Sequence, residues 1–381
     1  MSKVLVFGGG LQVISIARSL KECGHKADVL GDHNEVSRKS HFVDICFDCD
    51  LSTLTVDWMK SFINDNHYEV VIPMEDPFSD WLSRNKKEIE TYTGAKCAVM
   101  DWEIYQLARD KMRLIVFCEK NGIPHPKTRL IGEDLDKVAL YVGFPALIKP
   151  NHSNGARGIV KVDNIVQFKS VAPSVIAEYG NSALQEYIHT KDYYYNVMLY
   201  RYADGRFANH CIIKILRYYP VKGGSSSLCV TVENEKLLNI CKRTLDALQW
   251  EGFADFDLLE KGDDDYRIIE INPRVPACLR ASAISGINYG EIIVAGELGK
   301  EIPKYNYITN QYLRCLGLDV AWFFASPNRF QTKPSWFKFF GKNLYYMEGG
   351  RKDVSAMCAY IWIGIKKQLD SGFRKQKMGM N

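Results

Sequence analysis

The 381-residue sequence has no uninterrupted apolar run near the ~20 residues that a membrane-spanning helix needs. It has little net charge. Lys plus Arg number 49 and Asp plus Glu 45, a balance of +4 that is too small to mark a nucleic-acid binder. Gly (28) and Pro (13) are near average, which excludes collagenous and low-complexity chains. No Ser-His-Asp or Cys-His pattern stands out. The eight histidines are dispersed, and only His152 lies near the residues singled out below. Eleven cysteines are scattered singly rather than set out as a disulfide framework, so the expected location is a reducing cytoplasm. One Cys-x-x-Cys occurs, Cys46 and Cys49, with no second pair; it reads as buried thiols, with metal or redox chemistry open as the alternative. The opening Met-Ser-Lys and VLVFGGG read as a first strand rather than a secretory signal.

What is present is ordinary globular material, 46% apolar and 25% charged, enough for two or three domains at roughly 150 residues each. Over residues 1–100, short apolar runs (Lys3–Phe7, Ala27–Leu30, Val43–Phe47, Glu69–Ile72, Cys97–Val99) alternate with helical patterns such as Leu11, Ile14, Ile16, Ala17, Leu20. Such alternation means βαβ units and a parallel sheet. Asp110 is placed to cap a helix from Lys111 to about Asn121, which Gly122 and Pro124 end. Residues 144–275 are strand-rich, with glycine loops at 153–158 and 223–227 and one clear helix carrying Leu237, Leu238, Cys241, Leu245 and Leu248 behind an Asn234 cap. Residues 276–299 read helical again. Val354–Ile365 is apolar and is followed by Lys366, Lys367, Arg374, Lys375 and Lys377. It reads as a core helix with a solvated basic tail, or as an interfacial or partner-binding segment.

Gly8-Gly9-Gly10 sits between a strand and a helix, a geometry that aims amides at an anion. Val13 stands where a dinucleotide fingerprint needs its third glycine, so small-substrate contact and a plain tight turn stay open. Glu75 and Asp76 read either as substrate contacts or as a pair at a helix N-terminus.

A stronger constellation follows. Lys149 closes a strand beginning at Phe144, and alternation aims its ammonium at a cleft. A small, glycine-bearing loop comes next, with Ser153, Gly155, Arg157 and Gly158, suited to lying against phosphates. The strand containing Gln185, Glu186, Tyr187 and Ile188 precedes Asp192. Asp257 lies on one strand. Glu270 and Asn272 lie two apart on the next, so they share a face, and a hairpin can set Asp257 against Glu270. Two carboxylates and an amide oxygen are hard donors suited to Mg²⁺.

In order and spacing these pieces resemble the ATP-grasp superfamily over roughly residues 1–300. The resemblance implies an α/β chain, α+β in its ATP-binding part, with an ATP-grasp fold behind a Rossmann-like domain. It divides the chain into a pre-ATP-grasp domain (1–105), an ATP-grasp domain (106–300; first subdomain about 106–182, second within 125–185, C-terminal lobe 186–300) and an extension (301–381) with an apolar helix and basic tail. It implies that Lys111 and Lys149 touch ATP phosphates and that the 153–158 loop closes over them. The backbone around Glu186 and Ile188 would read adenine, and Asp192, offset by His189-Thr190-Lys191, would take the ribose. Asp257, Glu270 and Asn272 would hold two Mg²⁺, with Mn²⁺ able to substitute. Arg274 would face the transferred phosphoryl group, with Lys214 and Arg217 beside the acyl phosphate.

The expected activity is an ATP-dependent ligase that phosphorylates a carboxylate and joins it to an amine. A bicarbonate-dependent carboxyphosphate former is the alternative within the fold, and a non-catalytic nucleotide-binding scaffold the alternative outside it. Expected partners are small carboxylates and amines and no nucleic acid, with membrane contact through the tail and a homodimer as lesser expectations.

Overall fold

The computed structural model describes residues 1–10, 12–32, 35–132, 134–151, 158–190, 192–221, 223–347 and 352–369. Three sheets organise it. The first is parallel and holds β1 (Lys3–Phe7), β2 (Lys26–Gly31), β3 (Cys46–Asp48), β4 (Val70–Pro73) and β5 (Lys96–Cys97), in the order 3-2-1-4-5. After Lys3 its central strands β1 and β4 are apolar and buried, because helices cover both faces. The helix Gln12–Glu22 buries Val13, Ile14, Ile16, Ala17 and Leu20 on one side, and Asp76–Thr93 closes the other with Phe78 and Leu82.

The second sheet holds β6 (Thr128–Leu130), β7 (Ala146–Pro150), β8 (Val160–Val162) and β9 (Ser182–Glu186), in the order 6-9-7-8. It packs the helices Leu135–Val142 and Ile165–Tyr179 around Phe168. Neither helix is legible in the sequence, the second for a local reason. Pro173 interrupts its pattern and removes one backbone donor, while the Asn164 cap and a buried stripe of Phe168, Ala172 and Val175 hold it together.

The third sheet holds β10 (Tyr194–Arg201), β11 (Cys211–Tyr219), β12 (Ser225–Val232), β13 (Gly252–Gly262), β14 (Asp265–Asn272), β15 (Tyr312–Arg314) and β16 (Leu344–Tyr346), in the order 14-13-10-11-12-15-16. Residues beyond 300 therefore do not stand apart. β15 pairs with β12 and carries the C-terminal segment onto this sheet. The stretch read as continuously helical over 276–299 is broken into a 3₁₀ turn, Arg280–Ile284 and Tyr289–Glu297. A single turn at Ser285–Gly286, with Gly286 at φ 85°, lets the chain change direction.

The helix Lys111–Lys120 begins where the sequence places it. The Asp110 carboxylate accepts from the amides of Met112 (2.9 Å) and Arg113 (3.0 Å), satisfying two orphan donors of the first turn. Asn234 caps Glu235–Ala247 in the same way. The helix Val354–Leu369 buries Ala356 and exposes Ile361 and Trp362. No described helix is long and apolar enough to cross a membrane. All eleven cysteines are thiols. Burial pushes the Cys46 thiol up to about 11 and raises that of Cys49, the reverse of what a reactive or metal-binding pair needs.

Candidate active site

The acid hairpin forms in the register expected from its alternation. β13 and β14 pair Asp257 with Glu270 and Asp255 with Asn272, and a bulge follows directly after Asp257. β10 adds a polar residue to the same row. Asn196 lies opposite Asp257, and its amide donates to Asp257 Oδ1 at 3.3 Å. The amide of Asn272 reaches toward Asp255 and Asp257 at 3.4 and 3.5 Å. Three carboxylates thus crowd one part-buried patch. Burial and the neighbouring Glu270 charge push the Asp257 carboxyl up to about 7, and burial with the Asp257 charge pushes Asp255 well above the usual carboxylate range. Asp255 Oδ1 is buried with no hydrogen-bond partner.

This is an environment that calls for a cation. Among the described residues no three His, Cys, Asp or Glu side chains form a ready-made metal cage. The donor set of Asp257, Glu270 and the Asn272 amide fits Mg²⁺ in its usual form, held by one or two carboxylates and completed by substrate phosphates and water.

Beside the acid strand lies a crevice lined by Lys111, Met112, Thr128, Lys149, Gln185 and Ile269. Ile269 belongs to the acid strand β14 and Lys149 to β7, so the two sheets meet here. The Lys149 ammonium donates to Gln185 Oε1 (2.5 Å), and Gln185 donates in turn to Thr128 Oγ1 (3.0 Å). Burial and the charge of Lys111 lower the Lys149 pKa to about 8, against a smaller opposing effect of Glu270. Gly158, at φ 70°, ends the glycine loop where a Cβ would lie 2.9 Å from Pro150 and from the Tyr179 ring. His152, Ser153, Gly155 and Arg157 lie outside the described residues.

Arg274 reaches back to the first domain. Its Nε donates to Asp76 Oδ1 at 2.5 Å, and Arg109 holds the other oxygen at 3.1 Å. Burial would raise the Asp76 carboxyl, but the two arginines hold it below its ordinary value. Arg274 in turn bears electrostatically on Asp255, Asp257 and Glu270. Asp76 is therefore more than a helix-end charge; it fixes the cation that faces the acids. Glu75 has a different task. It accepts the Gly9 amide at 3.0 Å, so the chain's own carboxylate already fills the anion seat of the first glycine turn.

Other expected residues sit elsewhere. Arg217 is buried, and its guanidinium forks onto Asp319 (2.7 and 3.0 Å) and onto the carbonyl of Pro334 (3.1 Å), all in the segment beyond residue 300. Lys214 stands opposite Tyr195, one step out of phase with the row Ile213–Asn196–Asp257, and its ammonium lies 3.5 Å from the centre of the Tyr193 ring. Strand alternation thus turns Lys214 to the face away from the acids. The amides of Glu186 and Tyr187 are taken by the carbonyls of Lys127 and Pro145, and the Glu186 carboxylate pairs with Lys261 at 2.6 Å. Those two amides are thereby removed from base recognition, and Ile188 is buried at the end of the hinge. Asp192 is exposed at φ 58°, where its charge bears on Tyr218. Gly224, in the loop before β12, has no room for a Cβ, which would lie 2.3 Å from the Tyr219 carbonyl.

Asp255, Asn196 and Arg109 were missed as site residues. Asp255 repeats the two-residue spacing of Asp257. Asn196 is a lone amide in the apolar run of β10.

A family model described as "ATP-grasp in the biosynthetic pathway with Ter operon" matches residues 208–315. The chain is 22% identical over 336 residues to a D-aspartate ligase of Enterococcus faecium, covering 81% of this chain and 79% of that one. Biotin carboxylase from Campylobacter jejuni, solved as a β-γ-ATP complex, superposes with a TM-score of 0.67 over 82% of this chain and 74% of its own, at 20% identity. The chain has the ATP-grasp fold, and its matched stretch is similar to ATP-grasp sequences. A shorter match reaches a D-alanine–D-alanine ligase of Pseudomonas entomophila, at 25% identity over 215 residues, or 50% of this chain and 63% of the relative. In ATP-grasp terms the crevice lies between the small sheet and the large one, with the acids on the large sheet and Lys149 on the small.

Proposed function

We propose that this ATP-grasp protein is a carbon–nitrogen ligase that phosphorylates a carboxylate with ATP and joins the acyl group to an amine, one of the two substrates being an amino acid. The observation that carries the reading is that the Glu270 charge, in the patch with Asp257 and Asn272, bears on the Lys149 ammonium, which lines a crevice together with Ile269 of the acid strand. The activities for which the D-aspartate and D-alanine–D-alanine ligases are named support the amide-forming outcome and an amino-acid substrate.

The chemistry sets the requirement. A carboxylate must approach an anionic γ-phosphate, and two unit charges ~4 Å apart repel by ~4 kcal/mol at an effective dielectric of ~20. Fixed cations, not a proton-transfer base, meet that demand. Lys149 supplies one at the phosphate side, and Arg274, locked by Asp76, supplies another beside the acids. Asp257, Glu270 and Asn272 would hold Mg²⁺, two ions in this reading and replaceable by Mn²⁺, whose charge neutralises the phosphates. The carboxylate oxygen attacks the γ-phosphorus and ADP leaves. The amine nitrogen then attacks the acyl carbon, inorganic phosphate leaves, and the nitrogen gives up its proton to solvent.

Purified protein with ATP and Mg²⁺, presented with pairs of amino acids and small carboxylates and separately with bicarbonate, is expected to release ADP only when both a carboxylate and an amine are present. Lys149→Met and Glu270→Ala are expected to silence it. Release driven by bicarbonate alone would favour the carboxyphosphate chemistry instead, and turnover persisting in both variants would refute the assignment.

A pH effect follows from Lys149. With its ammonium at about 8 in the unliganded protein, ATP binding above that pH must take up a proton. Above pH 8 the Kd for ATP is expected to rise up to tenfold per unit, and calorimetry in buffers of different ionisation enthalpy should show proton uptake at pH 8.5. Below pH 7, where Asp257 is largely protonated, binding of ATP with Mg²⁺ should release a proton instead.

A further inference from the structure

The segment beyond the ATP-grasp core carries a surface that the reaction does not use. Between Asp319 and Glu348 the chain has no acidic residue, while it has Arg329, Lys333, Lys338 and Lys342. The same stretch holds four phenylalanines that the fold leaves in solvent: Phe324 (77% exposed), Phe330 (70%), Phe337 (59%) and Phe340 (90%). Three of them form one patch. Phe324, Phe330 and Phe337 surround the ring of Phe323 at 5.7, 5.6 and 5.9 Å, and the Arg329 guanidinium lies 5.5 Å from the Phe330 ring.

The patch is held by a buried scaffold. Arg314, fully buried, pairs with Asp319 and donates to the carbonyls of Trp336 and Lys338, and the Trp336 indole donates to the Asp319 carbonyl at 3.0 Å. The rings are therefore presented by a fixed framework rather than by a loose loop. Exposed aromatic groups of this size on a soluble protein mark an interaction surface.

We propose that this aromatic, cationic patch seats the enzyme on an anionic phospholipid surface. The ring and charge pattern is that of an interfacial anchor, with aromatic bodies entering the headgroup boundary and Lys and Arg meeting lipid phosphates. Charge argues against a second copy as the occupant. A two-fold contact would set the same four cations against themselves with no acid from the patch to offset them. The nearby helix Val354–Leu369 adds exposed Trp362 and Lys366, and its Tyr360 hydroxyl meets the Cys315 thiol at 3.6 Å at the start of the helix that bears Phe323 and Phe324.

The test is flotation of the full chain with vesicles of phosphatidylcholine alone and of phosphatidylcholine with 30 mol% phosphatidylglycerol (about a third anionic, as on a charged leaflet). Binding to the anionic vesicles only is expected, with release by high salt. Phe324→Ser/Phe330→Ser/Phe337→Ser is expected to lower the partition at least tenfold. Lys333→Gln/Lys342→Gln is expected to lower it roughly 25-fold, at about fivefold per cation. Far-UV circular dichroism and the melting temperature of both variants should match the parent, since these side chains lie outside the core. No flotation, flotation equal on neutral vesicles, or flotation unchanged by the triple substitution would each overturn the proposal. So would a concentration-dependent dimer that the triple substitution dissolves in the absence of lipid binding.

Discussion

Asp257→Asn is expected to cut ATP turnover by about 10³-fold and at the same time to raise the melting temperature of the ligand-free protein. Both effects have one cause. Asp257 stands in register with Glu270, one pair from Asp255, on a part-buried surface where burial and the neighbouring Glu270 charge lift its own pKa to about 7. An amide of the same shape removes one charge from that crowd. It keeps one acceptor for the two amides that donate to Asp257, those of Asn196 and Asn272, so the ligand-free fold gives up one long hydrogen bond and sheds a repulsion. Each kcal/mol relieved is worth roughly 1 °C in a chain of 381 residues. The same change removes a hard oxygen donor from the place where the metal-bound triphosphate would be held, and turnover falls. Differential scanning fluorimetry with and without Mg²⁺ and a non-hydrolysable ATP analogue separates the two. The variant should melt higher alone and gain less from the ligands. A lower melting temperature with normal turnover would mean that Asp257 is a structural residue.

Arg217→Ala is expected to behave in the opposite way, with a stability loss of about 3 kcal/mol and little change in turnover per folded molecule. Resemblance to the superfamily places this residue beside the acyl phosphate. In the fold its guanidinium is buried and forked onto Asp319, which also pairs with the buried Arg314 and accepts from Ser227. Removing one partner of a buried ion pair strands the other, at about 3–5 kcal/mol. Arg314 remains on Asp319 Oδ2, which points to the lower end of that range. Arg217→Lys should recover part of the stability, since an ammonium restores the charge but not the two-pronged contact. Urea unfolding and an ADP-release assay corrected for folded fraction distinguish the roles. Unchanged stability with a hundredfold loss of turnover would return Arg217 to the reaction.

The parts of this molecule that were legible in the sequence are those set by short-range rules. The period-two spacing of Glu270 with Asn272, on a strand joined to that of Asp257 by a turn at Asp263 and Asp264, was enough to place the acids face to face. Asp110 and Asn234 read as caps because their side chains compete for the amides that follow. Residues whose placement depends on long-range contacts were not legible. Arg217 and Asp319 are 102 positions apart and Arg274 and Asp76 are 198 apart, so no local pattern shows that one arginine is tied down and the other aimed. Lys214 failed for a subtler reason. A bulge between Ile215 and Arg217 means that face cannot be carried along β11 by counting, and only the pairing with Tyr195 fixes it. The glycine turn at Gly8–Gly10 has the right geometry for an anion, but a carboxylate from position 75 occupies it.

The most direct test follows a labelled oxygen. A carboxylate substrate found in the ADP-release panel, enriched in ¹⁸O at its carboxyl group, is incubated with the protein, ATP, Mg²⁺ and the amine, and the inorganic phosphate is examined by ³¹P NMR. If an acyl phosphate forms in the crevice between Lys149 and the acid hairpin, one carboxyl oxygen leaves with the phosphate, and the labelled phosphate equals the amide produced. Phosphate that carries no label while ADP accumulates would mean that water, not a carboxylate, receives the phosphoryl group, and would contradict the account.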